Sequence, residues 1–312
     1  MSRIIVTGGA GFIGSVLVKR LFSDFDEKFD ELVVVDKLTY AGNVSNLGDV
    51  VHSPKFSLIH ADISNIEDIS PLINDGDQIF HLAAESHVDN SISSGAVFWQ
   101  TNAIGTANIL EIMKARSGVR LLYVSTDEVY GSIEKGSFTE LSPLNPTSPY
   151  SASKAAGDLA CLAYLKTHGL DLNITRCSNN FGAEQHPEKL LPVLVNNIMK
   201  GNPVPIYGDG KNVREWIPAW VHSEYLIRIM FSEVTGEVFN IGSGFEMNNL
   251  ETANFVAEAL SKELKINFVE DRKAHDFRYS IECQKVIKYF GEVEYDPATE
   301  LVKTLKRYAG IN

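Results

Sequence analysis

Arg3-Ile4-Ile5-Val6-Thr7-Gly8-Gly9-Ala10-Gly11-Phe12-Ile13-Gly14 decides the fold. The apolar run Ile4–Thr7 reads as a buried strand that ends in a glycine turn. The turn opens a helix, Ile13–Leu21, whose Ile13, Val16, Leu17, Val18 and Leu21 share one broad face. In that setting Gly9-x-Gly11-x-x-Gly14 is a dinucleotide fingerprint. Gly9 is expected to allow the tight turn, Gly11 to let backbone approach a pyrophosphate, and Gly14 to permit close packing of helix on sheet. Gly8, Phe12 and Ile13 complete the loop. The helix N-terminus supplies amides and partial positive charge for phosphates.

Further strands are expected at Leu32–Asp36, Ser57–His60, Gln78–Leu82, Arg120–Ser125, Leu172–Arg176 and Glu237–Ile241. Helices are expected at Thr101–Ala115 and Ser151–Thr167. Buried strands without clean alternation, separated by helices, imply a parallel sheet covered on both faces. The predicted class is a Rossmann-like, doubly wound parallel α/β sheet with a smaller C-terminal α/β substrate lobe. After about Gly182 the prolines at 187, 192, 203 and 205 break the alternation. A dinucleotide-binding domain is expected over 1–182, with about 211–243 returning to it. The substrate lobe is expected from about 183–210 and 244–312.

The 312 residues carry 28 basic and 40 acidic side chains, a net charge of −12. That opposes a nucleic-acid partner, which calls for a basic stripe. Cys161, Cys177 and Cys283 are widely spaced with no Cys-x-x-Cys. They fit a reduced, cytoplasmic protein and predict no metal site. The chain runs straight into a strand, with no secretory leader expected and no apolar run of membrane-spanning length.

Asp36 ends the second strand. An acid there accepts from an adenosine ribose 2′-OH and repels a 2′-phosphate, so NAD is preferred over NADP. Lys37 is a mild counter-signal. Leu38 and Thr39 continue the cofactor edge. Asp62 and Ile63, after the third strand, are placed to flank the adenine.

Tyr150 and Lys154 lie one turn apart at a helix start and share a face. The ammonium is expected to lower the tyrosine pKa from its usual ~10, making Tyr150 a base that deprotonates an alcohol beside the cofactor. Thr126, Asp127 and Glu128 emerge from the fifth strand's end, where open α/β sheets place ligands. The adjacent carboxyls can split into an acid and a base, or simply cap a helix.

On these blocks the chain resembles the extended short-chain dehydrogenase/reductases and, within them, the nucleotide-sugar 4,6-dehydratases that act on dTDP-glucose. Thr126-Asp127-Glu128 discriminates, because related epimerases share the Tyr and Lys but typically lack the acid pair. Phe80–Asp89, Arg176–Gly182, Pro187–Pro192, Tyr207–Gly210, Val213–Trp216 and His275–Tyr279 also resemble this family's blocks. The resemblance implies oxidation of the sugar at C4, loss of water across C5 and C6, and reduction at C6, with NAD bound throughout. It implies Tyr150 on the 4-OH proton, Glu128 on the C5 proton, Asp127 as acid to the 6-OH, and Thr126 on O4. It places Leu82, Ala83, Ala84, Ser86, Thr101 and Asn180 on the cofactor. Ser86, Asn179, Lys189, Leu190, Pro205, Tyr207, Arg214, Asn249, Arg272 and His275 fall on the substrate. Arg214 reads as a diphosphate clamp or a surface salt bridge.

Two stretches depart from the family. Ile217-Pro218-Ala219-Trp220-Val221-His222 lacks the usual two acids and is expected to contact the sheet domain. Asp271-Arg272-Lys273-Ala274-His275 replaces a Pro-Gly centre and bears on nucleobase preference. The leading expectation is dTDP-glucose converted to dTDP-4-keto-6-deoxyglucose. The alternatives are a dehydratase or 4-epimerase for a UDP-, GDP- or CDP-linked sugar, and a non-catalytic cofactor-binding protein. The resemblance also implies a homodimer through a four-helix interface. Phe98, Trp99, Ile104, Leu159, Leu162 and Tyr164 would form that patch or pack on the sheet.

Overall fold

The computed structural model describes residues 2–271 and 275–311. Its centre is a seven-stranded sheet. The strands are β1 (Arg3–Thr7), β2 (Glu31–Asp36), β3 (Phe56–His60), β4 (Gln78–His81), β5 (Arg120–Thr126), β6 (Asp171–Cys177) and β10 (Val238–Ile241). Their order is β10-β6-β5-β4-β1-β2-β3, every pairing parallel. These are the seven strands expected from the sequence. β1 and β4 are neighbours, so the winding reverses there and a crevice opens at the strands' carboxyl ends.

Period-two alternation divides the core. Ile4 and Val6 of β1, with Leu32 and Val34 of β2, pack under Leu17, Val18 and Leu21 of the helix Phe12–Asp24. Leu226 and Ile229 of the helix Ala219–Met230 join the same face. Ile5, Val33, Val35 and Ile79 point the other way, against Ile109, Leu110 and Met113 of the helix Thr106–Lys114. Each such side chain contributes roughly 1.5–3 kcal/mol by leaving water.

A third core joins Leu191, Leu194 and Ile198 of the helix Leu190–Met199 to Val204, Ile206, Val256 and Leu301. Around it lie short strands that the sequence did not announce. β7 (Asn179–Phe181), β9 (Val213–Pro218) and β11 (Glu246–Asn248) form one sheet, and β8 (Val204–Tyr207) pairs with β12 (Ile266–Val269). Pro205 is tolerated because β8 has one free edge in that two-stranded pair.

The helix expected at Thr101–Ala115 begins earlier, passing through wide π-type turns at Trp99–Gly105. Phe98 turns inward, buried, with its ring edge-on to Tyr150 at 6.4 Å. Trp99, Ile104 and Leu159 remain exposed. Among the described residues, no helix is long and apolar enough to cross a membrane.

Candidate active site

The glycine turn is built on close approach. Gly8 has φ +72°, and a Cβ there would stand 2.7 Å from Ala83 backbone. The left-handed turn residue is therefore Gly8, not Gly9 as the spacing predicted; Gly9 backs onto the Val34 side chain. Gly11 N donates to Gly8 O at 3.1 Å. A Cβ on Gly14 would overlap the Gly8 carbonyl oxygen. The loop is a cradle that any side chain would fill, as a bound pyrophosphate requires.

Asp36 is buried at the end of β2. Its Oδ2 accepts from Ala10 N at 2.9 Å and its Oδ1 from Leu38 N at 2.8 Å, tying the glycine turn to the next loop. The Leu38 side chain packs against the apolar core, between Lys37 and Thr39 on the cleft wall. Lys37 Nζ stands 2.6 Å from Asp62 Oδ2. Burial raises the Asp62 pKa, but the Lys37 ammonium and two bonds from Ser64 outweigh it and hold it below the usual carboxylate value.

The crevice is a cleft of about 650 Å³. Gly8, Gly11, Phe12, Ile13, Gly14, Asp36, Lys37, Thr39, Asp62 and Ile63 line one end. Leu82, Ala83, Ala84, Ser86, Thr101 and Asn180 line the middle. Thr126, Asp127, Glu128, Tyr150, Lys154, Asn179, Lys189 and Leu190 line the rest. Lys189 Nζ donates to Ser86 O at 3.0 Å, linking two expected substrate contacts. Tyr40, Glu85, Cys177 and Trp216 also line it. Glu85 follows Ala84 directly, so continuing that block by one residue would have found it.

Tyr150 and Lys154 stand on the helix Pro149–His168. Ser148 caps it, Ser148 Oγ accepting from Ser151 N at 3.1 Å, and Pro149 takes the first turn. Asp158 anchors this helix to the sheet. Its Oδ2 accepts from Ser125 Oγ at 2.7 Å and its Oδ1 from Arg176 Nη2 at 2.9 Å.

Lys154 Nζ donates to the Val124 carbonyl at 2.8 Å and lies 4.4 Å from the Tyr123 ring centre. Burial lowers its pKa to about 8, against the pull of Asp158. Tyr150 does not behave as the sequence predicted. Burial, then the Glu128 carboxylate, raise its pKa well above the usual value, only partly offset by a hydrogen bond with Thr126. The ammonium that was expected to lower it is turned to Val124 instead.

The Thr126 hydroxyl donates to Asp127 Oδ1 at 3.1 Å, and Asp127 Oδ2 is buried without a partner. Burial first, then Glu128 and Glu215, raise the Asp127 pKa well above the carboxylate range. Asp127 is thus biased toward its protonated form. Glu128 is half-buried, and Tyr279 Oη donates toward its Oε2 at 3.5 Å while bonding Asp276 Oδ2 at 2.8 Å. Two adjacent acids therefore occupy different environments.

The other expected substrate residues lie outside this cleft. Arg214 is buried and not on the surface, stacks on Tyr279 at 4.6 Å, and donates to Asp276 O at 3.2 Å. Tyr207 meets His275 edge-on at 6.3 Å, and His275 Nδ1 lies 2.6 Å from Asp271 Oδ1. Pro205 is in β8, and Asn249 N donates to Asn212 O at 3.0 Å. Arg272, with Lys273 and Ala274, lies outside the described residues. Trp220 packs against Tyr295 at 5.9 Å and beneath Arg20 at 5.6 Å, donating to Glu300 at 3.2 Å. That departure touches the sheet domain's first helix, as expected. His222 is buried beside Asn180, its Nδ1 3.0 Å from Asn180 Oδ1.

Comparison with known proteins agrees with this geometry. Residues 5–307 match the sequence model of the GDP-mannose 4,6 dehydratase family. A dTDP-glucose 4,6-dehydratase of Actinoplanes sp. is 44% identical over 302 residues, spanning 96% of this chain and 93% of its own. The crystal structure of DesIV, a dTDP-glucose 4,6-dehydratase from Streptomyces venezuelae with NAD bound, superposes with a TM-score of 0.95. It is 43% identical and covers 99% of this chain and 97% of its own. A Bacillus anthracis dTDP-glucose 4,6-dehydratase in complex with NAD gives 0.90 at 38% identity, with coverage of 99% and 97%. An extended short-chain dehydrogenase/reductase by fold and motifs alike, the chain belongs to the GDP-mannose 4,6 dehydratase family.

Proposed function

We propose that this chain is an NAD-dependent lyase that converts dTDP-glucose to dTDP-4-keto-6-deoxyglucose. Its 44% identical relative and the superposable DesIV both carry the name dTDP-glucose 4,6-dehydratase. The observation that carries the reading is the pair at the end of β5: Asp127, buried and pushed toward its protonated form, and Glu128 beside it in the cleft that Tyr150 lines. A 4-epimerase expels no water and has no use for a proton-holding carboxyl there.

The cradle at Gly8 and Gly14, with Asp36 behind it, suits NAD. Bound NAD supplies reversible oxidation at the sugar's C4 and reduction at C6. In this reading Thr126 holds O4 and Tyr150 takes the 4-OH proton. The form of Tyr150 that accepts this proton is the phenolate, and Lys154, one turn away on the same face, would supply the positive charge that favours it. The ketone acidifies the C5 proton, which Glu128 removes. Asp127 gives its proton to the departing 6-OH. One acid must start ionised and the other protonated, and a buried Asp127 beside a half-buried Glu128 supports that split.

Lys189, Leu190, Ser86 and Asn179 are assigned to the sugar end, and Arg214 to the diphosphate. Pro205, Tyr207, Asn249 and His275 are assigned to the nucleoside. We divide the chain into a dinucleotide domain (1–182 and about 211–243) and a substrate lobe (183–210 and 244–312). We expect a homodimer through the helices Thr106–Lys114 and Pro149–His168, beside which Trp99 and Ile104 lie exposed, with Leu159 on the second helix. Three free cysteines suit the cytoplasm.

Purified protein incubated with dTDP-, UDP-, GDP- or CDP-glucose tests the reading through the alkaline absorbance of the 4-keto sugar. The signal is expected with dTDP-glucose. Its absence with all four substrates contradicts the assignment, and a signal with another base alone corrects the nucleotide.

A further inference from the structure

Lys37 follows Asp36 at the strand end, where a basic side chain can pair with the 2′-phosphate of NADP. Its ammonium is engaged elsewhere, 2.6 Å from Asp62 Oδ2. Asp62 is itself fixed, with Oδ1 accepting from Ser64 N at 2.9 Å and from Ser64 Oγ at 2.8 Å.

The backbone directs this pairing. β2 and β3 are in register at Asp36 and His60, and His60 Nε2 lies 2.9 Å from the Lys37 carbonyl. Leu38 then takes φ +51°, a left-handed conformation that costs a leucine free energy and is held by its N–H bond to Asp36 Oδ1. The chain thus leaves β2 by a constrained turn, with Lys37 across the end of β3. Glu85, another carboxylate on the cleft wall, also lies within reach of the Lys37 charge.

We propose that Asp62 is a cofactor-specificity residue that masks Lys37, withdrawing the cation an adenosine 2′-phosphate would need. The inference rests on the NAD reading above and adds a second layer to it. Asp36 repels the phosphate, while Asp62 removes its nearest attraction. Lys37 is about half exposed, so its pairing with Asp62 is screened by water and modest in strength. Unmasking it is therefore expected to change selectivity by about fivefold rather than reverse it.

The test uses the full chain, exchanged against an excess equimolar mixture of NAD⁺ and NADP⁺, desalted and denatured so that bound nucleotides can be counted. Wild type is expected to retain NAD. Asp62→Asn is expected to raise the bound NADP:NAD ratio about fivefold, and adding Lys37→Ala is expected to erase that gain. Asp62→Ala provides an independent second variant. An unchanged ratio in both Asp62 variants, or a gain that survives Lys37→Ala, overturns the inference while leaving the NAD reading intact. A wild-type chain that retains neither dinucleotide overturns both.

Discussion

Thr126 Oγ1 donates to Asp127 Oδ1 at 3.1 Å, and the other Asp127 oxygen is buried with no partner. One hydrogen bond from a neutral hydroxyl is too little to keep a buried carboxylate ionised. Burial therefore biases the acid toward its protonated form, which costs stability as pH rises and suits it to give a proton to a leaving group.

Asp127→Asn separates these two effects. The folded-state pKa is raised above the unfolded value, so the carboxyl's contribution is fully present below the usual carboxylate pKa and is lost as pH rises. The variant should melt about 2 °C or more above wild type at pH 7, and the gap should close toward pH 4. Product formation should fall by about 10²–10⁴. Thermal melts at both pH values, alongside the rate, check it; equal melting at pH 7 would mean that Asp127 is ionised.

Glu128→Gln should lower 4-keto-6-deoxy product formation by at least about 10². Transient reduction of bound NAD⁺ should persist, because oxidation at C4 precedes loss of the C5 proton. Rapid-mixing absorbance of the reduced nicotinamide reads this directly. A variant that still forms product at the wild-type rate removes Glu128 from the role of base.

Lys154, with its pKa lowered to about 8, predicts an alkaline limit. In the proposed mechanism the Lys154 ammonium must turn to compensate the Tyr150 phenolate, so kcat/KM should decline above about pH 8 as that charge is lost. Stability should move oppositely. The depressed pKa leaves the folded state with fewer bound protons than the unfolded state between about 8 and the ordinary lysine value of roughly 10.4, so stability should rise across that window. Lys154→Met should flatten the rise, which melts from pH 7 to 10.5 would reveal; the variant and wild type changing in parallel would count against it.

Gly14→Ala places a Cβ against the Gly8 carbonyl oxygen. The backbone on both sides is packed, so the turn must open. Bound NAD should fall well below one per chain while the apolar cores remain. Nucleotide counting on denatured protein, with far-UV circular dichroism as the control, checks this.

The seven parallel strands were legible because runs such as Leu32–Val35 are apolar on both faces of the sheet. β7, β8, β9, β11 and β12 were not, being three to six residues long and interrupted by Pro205 and Pro218. The glycine spacing located the cradle but assigned the turn to Gly9. Only the close approach of Ala83, more than seventy residues away, identifies Gly8. The pairs Thr126–Asp127 and Tyr150–Lys154 were visible by spacing. The direction of Lys154 was not, because it depends on the Val124 carbonyl, brought close by packing of the helix on β5.

The account turns on one hexose meeting Tyr150, Glu128 and Asp127 in a single cleft. Deuterium at C4 of dTDP-glucose, followed through one turnover by mass spectrometry and NMR of the product, tests this most directly. The account predicts loss of one water with the label retained in the C6 methyl group of the same molecule. Label released to solvent, or a 4-epimer formed with no water lost, would contradict it.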